Sequence, residues 1–248
     1  MLRLILILLL LATGARTPAQ AQTAPSTALA AVAANFAGAA EALAADYQTR
    51  TGHQITLTTG STGKLYAQIL QGAPFDLFLS ADAATPALLQ TKGHGVPVAY
   101  AIGQLVLWVP FGSGDPAALL ASPEIRHIAI ANPDLAPYGL AAREALTTMG
   151  LWQSLLPKIV MGQNIGQTHA LVASGAAEAG FVAASGLDPK ATGLRWPLPD
   201  SYHAPIRQDA QVLARGVTNP AATGFLTYLT TPEARAIIES FGYKAATP

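Results

Sequence analysis

Residues 55–80, ITLTTGSTGKLYAQILQGAPFDLFLS, contain the strand–helix–strand pattern that decides the fold. The part from Ile55 to Thr59 is typical of a strand, and apolar residues from Leu65 to Leu70 recur at helical spacing. We expect this helix to end at Gly72, and Asp76 to Ser80 has the pattern of a short buried strand. Two strands joined by a helix indicate a parallel pair.

The same pattern extends toward the N-terminus. Leu29 to Ala33 is apolar throughout, as in a buried strand, and apolar residues from Phe36 to Tyr47 recur at helical spacing until Gly52 ends the helix. The series is therefore strand–helix–strand–helix–strand. That order predicts a parallel sheet with helices on both faces.

A second series follows the turn-rich break at residues 111–116. A strand is expected just before it, from Gln104 to Pro110, and another near the C-terminal end, from Ala210 to Ala214. Two amphipathic helices close the chain, the second capped by Thr231 and ended by Gly242. Between these segments the pattern predicts three strands and two helices: Ile128–Ala131, Gly139–Met149, Ile159–Met161, Gln167–Ala173 and Ala179–Ala183.

These elements predict an α/β protein of two lobes, each a mostly parallel sheet flanked by helices. Two crossing strands, near Leu105 to Val109 and Ala210 to Ala214, would join the lobes and act as a hinge. The first lobe would comprise residues 22–107 and 211–248, and the second residues 108–210. The C-terminal helices would pack back on the first lobe.

Residues 1–21 have the plan of a secretory signal peptide. Arg3 precedes an apolar run from Leu4 to Ala12, which is too short to span a bilayer. The small residues Ala19 and Ala21 flank Gln20, which is the pattern that a signal peptidase recognises. We therefore expect export, removal of residues 1–21 and a mature periplasmic protein; the alternative is a retained membrane anchor.

Charge and composition exclude several functional classes. Removing residues 1–21 leaves 12 basic and 14 acidic side chains without a basic cluster, so a nucleic-acid partner is not expected. The absence of cysteine excludes disulfides, thiolate metal sites and cysteine catalysis. The five histidines lie far apart, without the spacing of metal ligands. No metal ion held by side chains and no cofactor are expected.

One segment resembles two catalytic motifs but completes neither. Ser61 and Lys64 match S-x-x-K, the nucleophile motif of penicillin-binding enzymes, yet the S-D-N and K-T-G elements of those enzymes are missing. A phosphate loop would need Gly at Thr58 and Ser or Thr at Leu65. We therefore expect a protein that is not an enzyme, although a hydrolase with widely separated catalytic residues stays an alternative.

Four predicted helices begin with small, polar or glycine residues directly after a strand. In an open parallel sheet such helix starts lie at the carboxyl ends of the strands, where ligands bind. A helix start carries unpaired N–H donors and a partial positive charge, which suit an anion. Two starts come from each lobe: Ala34-Asn35-Phe36, Gly60-Ser61-Thr62-Gly63, Ala136-Pro137-Tyr138-Gly139 and Asn164-Ile165-Gly166.

Five residues in these starts are the candidate ligand contacts. The hydroxyls of Ser61 and Thr62, the amide of Asn35 and the phenol of Tyr138 would add donors without a formal charge, and Ile165 would contribute its N–H. Each has a structural alternative, because Asn, Ser and Thr are ordinary caps and Tyr or Ile can serve the core. The pattern of four starts in two lobes favours the ligand role.

The motifs themselves resemble the periplasmic molybdate-binding protein family, most specifically in the segment Gly72 to Asp82. This resemblance covers essentially the whole mature chain. Its segments are AVAANF (31–36), GSTGKLYAQI (60–69), GAPFDLFLSAD (72–82), YGLAAREAL (138–146), QNI (163–165) and TPEA (231–234).

The resemblance implies a type II periplasmic binding protein that closes on molybdate or tungstate and delivers it to the permease of an ABC importer. It implies a monomer and ligand contacts from Asn35, Ser61, Thr62, Tyr138 and the backbone at Ile165. Many members of the family have Ser at the position of Asn35 and a Tyr near the position of Val182. This chain is instead similar to a second branch of the family, which has Asn at the first position and a Tyr at the position of Tyr138.

Alternatives of two classes stay open. A receptor of the same fold for sulfate or thiosulfate would use the same helix starts, whereas phosphate would require a carboxylate that accepts its proton. A periplasmic enzyme on this fold would require a nucleophile and a base, and the sequence shows no such pair.

Overall fold

The computed structural model describes residues 24–246. The expected signal peptide, residues 1–21, lies outside these described residues. Within residues 24–246, no helix is long and apolar enough to cross a membrane.

Strands and helices alternate through most of the chain. The strands are β1 (Thr27–Ala33), β2 (Gln54–Gly60), β3 (Leu77–Leu79), β4 (Val98–Gly103), β5 (Leu105–Val109), β6 (Ile128–Ala131), β7 (Ile159–Gly162), β8 (Ala179–Ala183), β9 (Leu194–Pro197) and β10 (Ile206–Val212). The α-helices are α1 (Ala37–Thr51), α2 (Thr62–Leu70), α3 (Ala84–Gln90), α4 (Pro116–Ala121), α5 (Pro137–Thr148), α6 (Trp152–Leu155), α7 (Ile165–Ala173), α8 (Pro220–Tyr228) and α9 (Pro232–Ser240). Short 3₁₀ turns occupy Ala34–Phe36, Leu156–Lys158, Ala184–Gly186 and Ala214–Thr218.

The strands form two sheets with the same internal arrangement. The first sheet has the order β2-β1-β3-β10-β4 and the second β7-β6-β8-β5-β9. In each sheet the first three strands are parallel and the last two join antiparallel. The predicted two-lobed α/β architecture is confirmed, and each sheet is mixed.

The two crossings between the sheets differ from the sequence prediction. The predicted crossing strand Leu105–Val109 lies wholly in the second sheet, and the predicted strand Ala210–Ala214 overlaps β10, which lies wholly in the first. The chain passes between the sheets at Gln104 and again within residues 198–205. The crossing segments are therefore short connections between strands.

Sheet membership also moves the expected lobe boundaries. The expectation placed residues 22–107 and 211–248 in the first lobe and 108–210 in the second. The second sheet already begins at Leu105, and the first sheet resumes at Ile206. The chain therefore changes sheet a few residues before each expected boundary, and the division into lobes stays a prediction.

Polar residues hide the first half of β10 in the sequence. Arg207, Gln208 and Asp209 interrupt the apolar pattern, although the last two are buried between β3 and β4. Strand β4, which the sequence analysis does not predict, lies at the edge of this sheet and pairs with β10. Strand β9 and helices α3 and α4 were also not predicted.

Each lobe has its own apolar core. In the first, α1 and the C-terminal helices pack on the sheet, with Leu43, Phe225 and Ile238 almost fully buried in one cluster. In the second, Leu107, Ile130 and other apolar side chains of β5, β6, β8 and α5 form a separate cluster. The prediction that the C-terminal helices return to the first lobe is confirmed.

Phe225→Ala tests the packing of the C-terminal helices. The ring lies 5.3 Å from that of Tyr47 and is fully buried, so its removal should lower the free energy of unfolding by about 3–5 kcal/mol. The matched control Leu88→Ala removes an exposed side chain and should change it by no more than about 0.5 kcal/mol. Urea denaturation measures both; equal losses would contradict this packing.

Candidate binding site

The four predicted helix starts line one cavity between the two lobes. All five candidate residues lie on its wall, so the structure brings together the positions that the sequence singled out. Its volume is about 10 Å³, close to the space of a single water molecule. The lining residues are Ala33, Ala34, Asn35, Gly60, Ser61, Thr62, Ala81, Ala136, Pro137, Tyr138, Asn164 and Ile165.

Strand register explains why the helix starts meet. Strands β1 and β2 are parallel and end side by side, with Ala33 paired to Gly60. Strands β6 and β7 end in the same way, with Ala131 paired to Gly162. Each strand is followed within a few residues by a helix, so the helix starts emerge from the carboxyl edges of both sheets.

Ser61 and Thr62 place two hydroxyl groups at the start of α2. The Ser61 oxygen caps the helix by accepting from the Lys64 N–H at 3.4 Å, and the Thr62 oxygen accepts from the Ala81 N–H at 3.1 Å. Both side chains are almost fully buried. Because both oxygens accept from the protein, each hydroxyl keeps its own proton to donate.

Ile165 is the first residue of α7, and its side chain packs in the core of the second lobe. The preceding residue, Asn164, caps the helix by accepting from the Gln167 N–H at 2.9 Å. The first N–H groups of a helix have no partner within the helix. Ile165 therefore offers the cavity its main chain while its side chain serves the core.

Asn35 uses its side chain differently from the sequence expectation. Its amide nitrogen donates to Gln208 Oε1 at 2.9 Å and to the Tyr243 hydroxyl at 3.1 Å. A side-chain amide has two hydrogens, so both are directed to the protein. In this arrangement, the donors that Asn35 can offer to the cavity are those of its main chain, in the 3₁₀ turn Ala34–Phe36.

The lobes contact each other around the cavity. The Gly63 N–H in the first lobe donates to the Leu135 carbonyl in the second at 2.9 Å. On another side, the Ser185 hydroxyl in the second lobe donates to the Asn35 carbonyl at 2.9 Å. These contacts and the small cavity volume indicate that the lobes are closed.

A family model matches most of the chain. The model for bacterial extracellular solute-binding proteins matches residues 28–244. The chain belongs to this family.

Similar proteins within it bind molybdate. The molybdate-binding protein ModA of Rhodobacter capsulatus is 43% identical over 223 residues, which cover 87% of each chain. The structure of the Azotobacter vinelandii periplasmic molybdate-binding protein has a TM-score of 0.84 and 38% identity, covering 89% of this chain and all of the other. These relatives confirm the resemblance to periplasmic molybdate-binding proteins, and they are solute-binding proteins rather than enzymes.

A more distant likeness shows only the fold. The sulfate-binding protein SubI of Mycobacterium tuberculosis has a TM-score of 0.72 but 14% identity, covering 90% of this chain and 88% of the other.

Charged groups of this solute-binding protein lie outside the cavity wall. Lys64, in the first turn of α2, is exposed. Asp82 follows the lining residue Ala81, and burial raises the pKa of its carboxyl group. That carboxyl accepts hydrogen bonds from Ser80 and Thr85, which direct it toward the first turn of α3. The wall is therefore uncharged.

The phenol of Tyr138 is the most buried polar group on the wall. Its ring is 1% exposed, and its oxygen accepts from Gln208 Nε2 at 3.4 Å. Burial raises the pKa of Tyr138 well above its usual value, and it raises the pKa of nearby Tyr243 to about 12. Both phenols stay protonated at neutral pH and act as neutral hydrogen-bonding groups.

The sequence did not point to Gln208, Tyr100, Tyr243 or Ser185, whose side chains surround Asn35 and Tyr138. The only local signal was a polar Gln in a strand. Pairing of β10 with β3 and β4, which buries this Gln, is not visible in the sequence.

Alkaline pH should test the burial of the Tyr138 phenol. Burial raises the pKa of Tyr138 in the folded protein above its value near 10 in the unfolded chain. The contribution of this group to stability is therefore fully present below about pH 10, and it is lost as pH rises toward the folded pKa. Each such group contributes up to about 1.4 kcal/mol per pH unit to the slope of unfolding free energy against pH. Tyr138→Phe should therefore reduce that slope by about this amount between about pH 10 and pH 11.5. Denaturant titrations measure it, and an unchanged slope would show that the phenol is not buried as described.

Proposed function

We propose that this chain is an extracytoplasmic solute-binding protein that captures molybdate, and tungstate of nearly the same size, for an ABC importer. The observation that carries the proposal is the uncharged cavity formed by four helix starts, in a chain that is 43% identical to molybdate-binding proteins. The ligand contacts would come from Asn35, Ser61, Thr62, Tyr138 and the N–H of Ile165.

Helix starts suit a tetrahedral dianion. Each supplies N–H groups with a partial positive charge, so four starts can surround an anion without a lysine or arginine. A hydrogen bond to an ionised group contributes roughly 1.5–3 kcal/mol. Six or seven such bonds, with hydroxyl donors from Ser61 and Thr62, are enough for submicromolar binding after the cost of ordering.

The closed cavity implies movement between the lobes. Its volume of about 10 Å³ has room for one water molecule, which is less than a tetrahedral oxyanion needs, so the lobes would separate for the ligand to enter. We propose that they open and close at the two crossings, Gln104 and residues 198–205. Rotation there would part the Gly63–Leu135 and Asn35–Ser185 contacts without disturbing either sheet.

The cellular setting is part of the same proposal. Residues 1–21 would act as a cleaved signal peptide and deliver a monomer to the periplasm, where a membrane permease would receive the loaded protein. The periplasmic relative from Azotobacter vinelandii supports this location.

A sulfate or thiosulfate receptor is the second candidate, because sulfate is also a tetrahedral dianion at neutral pH. The fold alone does not separate the candidates, since the sulfate-binding protein SubI shares it. The charge of the ligand does not distinguish the two candidates either, since molybdate and sulfate are both dianions. The size of the anion distinguishes them, because metal–oxygen bonds in molybdate and tungstate are longer than the bonds in sulfate.

Selectivity for the larger anions is the first test. A ring of donors set for molybdate would stretch its hydrogen bonds to sulfate, and a loss of about 1 kcal/mol on each of four contacts lowers affinity roughly a thousandfold. Calorimetry on residues 22–248 should show molybdate and tungstate binding far more tightly than sulfate. Equal or tighter sulfate binding would replace the molybdate proposal with the sulfate alternative.

The uncharged wall gives a second test. Removing both α2 hydroxyls with Ser61→Ala and Thr62→Ala should weaken molybdate binding by roughly a hundredfold or more, because two donors to the anion are lost. Lys64→Ala is the matched control in the same turn; it should have a small effect that vanishes at high salt. Calorimetry at low and high salt compares them, and a Lys64→Ala loss as large as that of the double variant would indicate direct contact by lysine.

A further inference from the structure

A buried glutamine connects the two lobes behind the cavity wall. Gln208 lies on β10, is fully buried and does not line the cavity. Its oxygen accepts from Asn35 Nδ2 at 2.9 Å and lies 3.0 Å from the Tyr100 hydroxyl, whose single proton also has the Ser80 carbonyl as an acceptor at 2.9 Å. Its nitrogen donates to the Tyr138 hydroxyl at 3.4 Å. The side chain therefore contacts wall residues of both lobes.

The partners of Gln208 determine which way its amide faces. With the Asn35 amide nitrogen placed toward Gln208 and Tyr243, the Gln208 atom that faces it is the oxygen, because an amide nitrogen can only donate. The Gln208 nitrogen then faces Tyr138, and a nitrogen of a neutral amide can only donate. The Tyr138 oxygen is thus an acceptor in this contact, and its own proton must be directed away from Gln208.

Gly103 holds the phenol against this amide. It ends β4, just before the chain crosses to the second lobe at Gln104. A Cβ atom at Gly103 would collide with the Tyr138 hydroxyl and with Gln208 Nε2. Only glycine leaves room for both groups, so the close approach of backbone to phenol is built into this position.

We propose that Gln208 is a positioning residue that, together with Gly103, directs the Tyr138 proton toward the bound anion. The inference rests on the proposed function, because it concerns the same site. Its chemical consequence is that the anion oxygen facing Tyr138 must be an unprotonated acceptor. A phenol held as a donor cannot accept a proton from the ligand.

A double-mutant cycle tests this arrangement. Gln208→Met keeps the length of the side chain but removes its donor and acceptor, and Tyr138→Phe removes the phenol oxygen. If Gln208 acts through that oxygen, each single variant should weaken molybdate binding about tenfold or more, and the double variant should be little weaker than the worse single variant. Calorimetry measures the affinities, and circular dichroism verifies folding.

Gly103→Ala gives a second test that does not require the amide to be replaced. The added methyl should displace the phenol and weaken molybdate binding in the parent protein. In a Tyr138→Phe background the closest collision, with the phenol oxygen, is gone, but the methyl still lies 2.8 Å from ring Cζ and 2.7 Å from Gln208 Nε2, so the added loss should be smaller without disappearing. A role of Gly103 in the backbone alone would give the same loss in both backgrounds and would contradict the inference.

Raman difference spectra supply a direct readout of the phenol. The tyrosine Fermi doublet reports whether a phenol donates or accepts, and subtraction of the Tyr138→Phe spectrum isolates this residue. Molybdate should shift the Tyr138 signal toward that of a strong donor in the parent but not in Gln208→Met.

The outcomes separate this inference from the proposed function. The inference alone would be overturned if the parent binds molybdate tightly but the losses of affinity in Gln208→Met and Tyr138→Phe multiply independently in the double variant. Absence of molybdate binding by the parent would overturn both.

Discussion

The first N–H groups of a helix have no partner within that helix, and four helix starts of this protein meet at one uncharged cavity. The rest of the site depends on this convergence. Parallel pairing of β1 with β2 and of β6 with β7 ends these strands side by side at the edges that face each other. The sheets thus bring together the partial positive charges of the helix starts, and a dianion can be bound without a charged side chain.

Polar side chains around the cavity serve mainly to hold this geometry. Asn35 directs both amide hydrogens to Gln208 and Tyr243, and Tyr138 accepts from the same glutamine. Burial keeps the phenols protonated, so the network stays neutral near physiological pH. Because Gln208 follows one crossing and Gly103 precedes the other, the network also connects the wall of the cavity to the points where the lobes would move.

Much of this could be predicted from the sequence. Local patterns predict β1, β2 and the helices after them, and glycine and small polar residues mark the helix starts that meet in space. Long-range pairing could not be predicted. Nothing local shows that Gln208 lies between β3 and β4, so the pattern predicts the start of β10 too late. It also predicts that two strands cross between the lobes, whereas the crossings are the short connections beside those strands. For the same reason, the sequence does not show which residues form hydrogen bonds with the Asn35 amide. Helix-start patterns do predict the positions of Ser61 and Ile165.

A crystal structure with molybdate, using the anomalous scattering of molybdenum, would test the central claim most directly. The anomalous peak is expected between the starts of the 3₁₀ turn Ala34–Phe36, α2, α5 and α7, with oxygens within hydrogen-bond distance of Ser61, Thr62 and the Ile165 N–H. No lysine or arginine should touch the anion. A peak elsewhere, for example in the larger cavity beside Phe111, or one held by a charged side chain would contradict binding by uncharged helix starts.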